Sequence, residues 1–179
     1  MIPAFVIHHP SSVERESVVA DLVEKTGAVV VEAILLPHGP EGCTRSHLAV
    51  ANFAKEFFPD HSYLVFEDDC VLEDGWDDIL KLFPNADLLY LGYTERSSHT
   101  IFGTHGLYMS PKARDCFQEH AEEINREIPP PHTWATDWIL TRLFQRYNLQ
   151  TEMPTYELRN RWCYQKKGLK STITGKIRQ

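Results

Sequence analysis

Ser62-Tyr63-Leu64-Val65-Phe66-Glu67-Asp68-Asp69 runs without a break from an apolar, aromatic segment into three consecutive carboxylates. By length and composition residues 62–66 form a buried strand. Three acids directly behind a strand repel one another and are costly to bury unpaired, so they call for a cation. If the strand geometry persists, Glu67 and Asp69 face one point while Asp68 faces away. Two hard oxygen ligands with open positions suit Mn²⁺ or Mg²⁺ carrying a diphosphate better than a closed structural site.

Working outward, helices and strands alternate. Residues 4–7 form a first buried strand, and a helix with apolar positions Val13, Val18, Val19, Leu22 and Val23 follows, stopped by Gly27. Residues 28–36 form a second strand, interrupted at Pro37-His38-Gly39-Pro40, and Leu48, Ala51, Phe53, Ala54 and Phe57 outline the next helix. After the acids come a short helix over 76–83, a strand over 86–91, and a strand or hairpin arm over 101–109. Helices over 111–128 and 134–147 and two short strand-like pieces complete the pattern. Such alternation implies parallel βαβ units and an α/β sandwich, in which ligands bind at the carboxyl ends of strands. That rule puts Glu67-Asp68-Asp69 at the binding rim.

With 179 residues, 42% hydrophobic and 24% charged, the chain suits one compact domain, 1–179, and excludes disordered and collagen-like architectures. No apolar run approaches the roughly 18 residues of a membrane helix, and the first ten residues lack the pattern of a signal peptide, so a cytoplasmic protein is expected. The net charge of −7 argues against a nucleic-acid partner. Residues 56–80 hold nine acids and no Lys or Arg, whereas after Glu157 there are seven bases and no acid. An acidic rim for a cation and a basic segment, 158–179, that closes over phosphates would give this division; so would two solvated faces. Cys43, Cys70, Cys116 and Cys163 are too widely spaced for a zinc knuckle or a CxxC pair, and read as free thiols. No HExxH, GxSxG, P-loop or GxGxxG is present, and Val71 and Leu72 stand where an EF-hand needs oxygen ligands.

Several blocks together resemble family 25 of the glycosyltransferases. Gly42-Cys43-Thr44-Arg45-Ser46-His47 is similar to its G-C-x-x-S-H segment, and Tyr63 through Leu72 to its strand running into E-D-D. Asp87 through Gly92 resembles the following strand, Gly103-Thr104-His105-Gly106 the G-T-H block, and Gln165 through Ile173 the closing Q…S-x-I segment. The opening Ile7-His8-His9-Pro10-Ser11-Ser12-Val13-Glu14-Arg15 keeps only Ile7, Ser12 and Arg15 of the family's I-N-L-D-R-S-x-x-R.

The resemblance implies a GT-A-like, Rossmann-type α/β/α sandwich with a mostly parallel sheet. It implies an inverting, metal-dependent transfer of a hexose, galactose or glucose, from a nucleoside diphosphate sugar, UDP-linked in the family, to a hydroxyl of a carbohydrate-containing acceptor. Asp69 and Glu67 would hold Mn²⁺ or Mg²⁺, and Asp137, at a helix start, would be the general base. His8, Arg15, Arg45, His47, Asp68, Gln165 and Ser171 would hold the donor. Trp134 and Trp138 flank Asp137 and can stack on a sugar or simply pack. Two other readings stay open: a carbohydrate-binding domain that kept the fold without turnover, and a metal-dependent phosphohydrolase.

Overall fold

The computed structural model describes residues 2–96 and 101–167. Its central sheet has six strands in the order β2 (Val29–Glu32), β1 (Ala4–His8), β3 (Tyr63–Glu67), β8 (Gly106–Met109), β5 (Leu88–Tyr90) and β9 (Thr151–Glu152). All pairings are parallel except the two made by β8, which runs against its neighbours β3 and β5. The remaining strands are β4 (Cys70–Leu72), paired antiparallel with β10 (Cys163–Gln165), and the small hairpin of β6 (Glu95–Arg96) with β7 (Ile101–Phe102).

Alternation along the strands builds a core on each face. Phe5, Ile7, Tyr63, Val65, Leu88 and Tyr90 face α2 (Gly39–Phe57), α4 (Pro111–Glu127) and α5 (Thr136–Tyr147). Ala4, Val6, Leu64, Phe66, Leu89 and Leu91 face the other way, onto α1 (Glu16–Thr26), α3 (Asp78–Leu82) and the β4–β10 pair. The result is the expected α/β/α sandwich with a mostly parallel sheet.

Local chemistry sets the element ends. Gly27 closes α1 in the left-handed conformation, its N–H returned to the Val23 carbonyl, and Pro40 sits in the first turn of α2, where no N–H is needed. Ser110 caps α4 by accepting from the Ala113 N–H. Three expectations need adjusting. The second strand stops at Glu32, because the backbone turns away there and Ile34 N–H is taken by the Ser46 hydroxyl at 2.8 Å. The helix expected over 76–83 is confined to Asp78–Leu82. The segment 101–109 is two strands, broken at Gly103, whose φ of 109° a side chain rarely adopts.

Glycine is also required where β10 crosses the sheet end. A Cβ on Gly92 would lie 1.9 Å from the Cys163 carbonyl oxygen, a backbone atom that cannot rotate aside. Gly92→Ala is therefore expected to lower the unfolding free energy by about 3 kcal/mol, read from urea denaturation.

Candidate active site

The carboxyl ends of β1 and β3 lie side by side, with Ile7 opposite Glu67 and the amino end of β8 opposite Phe66. Between this edge and the first turns of α2 is a cleft of about 170 Å³, lined by Arg15, Glu67, Asp68 and Asp69 at one wall and by Ala33 through Leu36 at the other. The acidic triplet does sit at the rim of the sheet.

The three carboxylates are grouped differently from a continued strand. The chain turns after Glu67, so Asp68 and Asp69 share one partner, the buried Arg15 guanidinium. Arg15 pairs with Asp68 Oδ1 and stands 3.4 Å from Asp69 Oδ2. Asp68 Oδ2 also accepts the His9 N–H at 2.9 Å and lies 3.1 Å from His8 Nδ1. Gln165, on β10, donates its amide to both Asp69 oxygens, at 3.2 and 3.3 Å. The Asp69 carbonyl accepts the Lys166 N–H at 2.7 Å, so β10 closes directly over the triplet.

Glu67 faces α2 instead. Its Oε1 accepts the Thr104 hydroxyl at 2.7 Å and lies 3.4 Å from His47 Nε2 and 3.7 Å from Cys43 Sγ. Burial pushes the carboxyl upward, but the His47 ring, the Thr104 hydroxyl and the His105 charge outweigh it and hold Glu67 at about 2. Glu67 is therefore ionised throughout the neutral range.

The Gly42-Cys43-Thr44-Arg45-Ser46-His47 block acquires a physical reading. A Cβ on Gly42 would come within 2.5 Å of the Ile34 carbonyl, so glycine lets the 33–36 wall approach α2, and Ser46 then bonds that wall. Cys43 and His47, four residues apart, share the face toward Glu67. Arg45 is on another face: its guanidinium pairs with Glu122 at 2.7 Å and lies 4.4 Å from the centre of the Trp134 ring, so it does not line the cleft. Thr44 bonds the Trp134 carbonyl at 2.6 Å and the Thr136 hydroxyl at 2.9 Å, fixing the start of α5. In that first turn Asp137 accepts the Gly103 N–H at 3.2 Å; burial raises the neighbouring Cys43 thiol and Tyr90 hydroxyl, and the Asp137 charge adds to both.

Under this floor lies a group the sequence reading did not pair: Cys70, Cys163 and His105. All four cysteines are free, and Cys43 is only half-buried, whereas Cys70 and Cys163 are fully buried with their sulfurs 3.0 Å apart. Burial pushes the Cys163 thiol up, but the Cys70 donor and the His105 ring prevail and bring it down to about 6. Burial lowers His105, yet the Cys163, Glu67 and Asp69 charges raise it overall. Cys70 and Cys163 meet through the pairing of β4 with β10, and His105 arrives from the turn before β8, so spacing carried no signal. Ser171 and the basic residues from Lys170 onward lie outside the described residues.

No protein-family model matches the sequence, and no curated protein matches it. Among solved structures, the chain is similar to a glycosyltransferase involved in the glycosylation of the major capsid of PBCV-1, at 14% identity and a TM-score of 0.55 over 86% of this chain and 81% of that one. A protein from STIV is similar at 12% identity and a TM-score of 0.52, over 86% and 82%. The glycosyltransferase GlyE of Streptococcus pneumoniae TIGR4 matches at 11% identity and a TM-score of 0.53, over 87% of this chain and 45% of that one. At these identities the likeness is one of fold, and the fold is one that glycosyltransferases use.

Two outcomes follow for the site itself. Arg15→Met strands two buried carboxylates and should cost about 3–5 kcal/mol in denaturant unfolding, part of which Arg15→Met/Asp68→Asn recovers. The Cys163 thiolate, whose folded value of about 6 lies below its unfolded one, contributes stability in full above the unfolded value and loses it as pH falls through 6. Thiolate absorbance, wild type minus Cys163→Ser, should titrate with that midpoint, and Cys70→Ala should move it upward.

Proposed function

We propose that the chain is a glycosyltransferase moving a sugar from a nucleoside diphosphate donor to a hydroxyl of a carbohydrate-containing acceptor. The observation that carries this reading is the cleft itself: three carboxylates at the end of β3, within a fold that glycosyltransferases share. The family-25 resemblance of five ordered blocks supports it, because four of them meet around these carboxylates: Cys43 and His47, Glu67 through Asp69, Thr104, and Gln165.

An anionic diphosphate entering a cleft with three carboxylates and one guanidinium needs a further positive charge. The carboxylates suit a divalent ion: Glu67 is ionised, and among the described residues its Oε2 makes no hydrogen bond, while Asp69 gives one oxygen pair to a neutral amide. Asp69 and Glu67 would hold Mn²⁺ or Mg²⁺, and the bound ion supplies charge neutralisation of the leaving diphosphate. Arg15 and His8 act through Asp68, whose orientation they set. His47 holds Glu67 in its ionised form.

Asp137 is the base in this reading. It is a carboxylate in the first turn of α5, where the helix dipole favours the charged form, and it accepts the Gly103 N–H at 3.2 Å. In an inverting displacement such a group takes the acceptor hydroxyl proton as the oxygen attacks. The donor sugar, galactose or glucose on UDP, follows the family-25 part of the reading, and a carbohydrate-binding domain without turnover is the competing one.

A nucleotide-sugar transfer assay with a glycan acceptor separates them. Asp69→Asn should lower kcat/KM by roughly 100-fold or more and weaken donor binding, whereas Asp137→Asn should lower kcat by a similar factor with donor affinity kept. Unchanged kcat in Asp137→Asn removes the base assignment, and absence of transfer from any donor in the wild type favours the binding domain.

A further inference from the structure

Cys43, His47 and Glu67 form a tripod on the α2 side of the cleft, each offering a ligand atom within 4.8 Å of the other two. The contact between His47 and Glu67 is long for a hydrogen bond. The His47 to Glu67 separation of 3.4 Å exceeds an ordinary N–H···O bond of about 2.7–3.2 Å. It fits a cation instead. With Zn–S near 2.3 Å and Zn–N and Zn–O near 2.0–2.1 Å, a tetrahedral zinc site has S–O and N–O edges of roughly 3.5 and 3.3 Å. The observed separations are 3.7 Å from Cys43 Sγ to Glu67 Oε1 and 3.4 Å from His47 Nε2 to the same oxygen.

From this geometry we infer that the protein has a binding site for a thiophilic divalent cation of the zinc class, held by Cys43, His47 and Glu67. The three residues are preorganised by separate elements. Cys43 and His47 stand one helical turn apart on α2, and Glu67 ends β3. The His47 ring is 2% exposed and its Nδ1 makes no hydrogen bond, so the ring's polar engagement is directed at the cluster. Thr104 bonds Glu67 Oε1 at 2.7 Å and Thr136 lies 3.6 Å from Cys43 Sγ, supplying the outer contacts that orient ligands. Cys43 and Glu67 also line the cleft, so a fourth ligand position opens toward it, as in sites that bind a water or substrate atom.

A sulfur–nitrogen–oxygen set selects against Mg²⁺, which favours all-oxygen octahedra, and selects for Zn²⁺ or Co²⁺. This site shares only Glu67 with the ion proposed for the donor: it takes Oε1 and leaves Oε2, and it involves neither Asp69 nor Asp68. It also stands without the transferase reading. Binding converts the Cys43 thiol to a thiolate, the proton passing to solvent.

The test uses the full chain, stripped with a chelator and titrated with Co²⁺. The expected spectrum has a sulfur-to-cobalt charge-transfer band and intense tetrahedral d–d bands, saturating at about one equivalent per chain. Zn²⁺ should bleach them, and excess Mg²⁺ should not. Cys43→Ser, a near-isosteric change, should abolish the charge-transfer band and weaken Zn²⁺ binding roughly 100-fold in competition with a chromophoric chelator. Cys163→Ser and Asp69→Asn should leave the band in place, which ties it to this thiol and separates it from the donor's ion. A wild-type protein with no charge-transfer band, or a band that survives Cys43→Ser, overturns the inference. Retained cobalt binding in a protein without sugar transfer leaves this site standing and removes only the transferase reading.

Discussion

The Arg15 guanidinium, buried between Asp68 and Asp69, is the interaction on which the site depends. Two carboxylates and a guanidinium, each nearly excluded from water, are individually expensive to desolvate and become tolerable only together. Their mutual requirement fixes three pieces of chain at once. Arg15 ends the short 3-10 turn Val13–Arg15 leading into α1, so the loop after β1 must bring it across the end of β3. His9 must then offer its N–H to Asp68. Asp69, held on one side by Arg15, turns its carbonyl and carboxylate to β10, which adds Gln165 and Lys166. The cleft is therefore a product of charge pairing as much as of sheet topology.

This pairing explains what the sequence could and could not say. The apolar segment ending at Phe66, followed by three acids, located the rim, and the alternation of strands and helices gave the sandwich. Strand periodicity then mispredicted how the acids would divide, because it has no knowledge of a cation arriving from residue 15. With Arg15 present, Asp68 is held inside and shares the guanidinium with Asp69, and Glu67 alone turns to α2. The reversal of β8 was equally invisible, since the composition of a short strand does not encode its direction. The short second strand has a similar cause: Val29 through Leu36 are β-formers, but the Ser46 hydroxyl captures Ile34 N–H and ends the ladder.

The residue blocks picked out by resemblance separate on inspection into two kinds. Gly42 and Gly103 are there for shape, one admitting the Ile34 carbonyl and the other adopting φ 109°. Cys43, His47, Thr104 and Gln165 are there for the carboxylates they touch. Arg45 belongs to neither kind. Its pairing with Glu122 and its stacking on Trp134 tie α2 to α4 and to the segment before α5. An arginine near a helix start is a plausible phosphate ligand in sequence, and only the helical phase of α2 shows that it points elsewhere.

The carboxylates also differ in what they can release. Asp68 is saturated by a guanidinium and a backbone N–H, neither of which can be removed without leaving a buried charge. Asp69 is held by the Arg15 guanidinium and by the Gln165 amide, and of these two the amide is the cheaper to give up, since an amide side chain at an intermediate position can rehydrate. Glu67 has already committed Oε1 to α2 and β8's approach. Among the described residues Glu67 Oε2 is the carboxylate oxygen that an incoming group reaches without displacing a hydrogen bond, and at Asp69 it is the Gln165 amide that yields first. Because Gln165 sits on β10, displacing its amide removes a side-chain contact of that strand while its backbone pairing with β4 remains. The Asp69 carboxylate thus reaches β10 through the Gln165 side chain, and its carbonyl reaches the same strand's end through the Lys166 N–H.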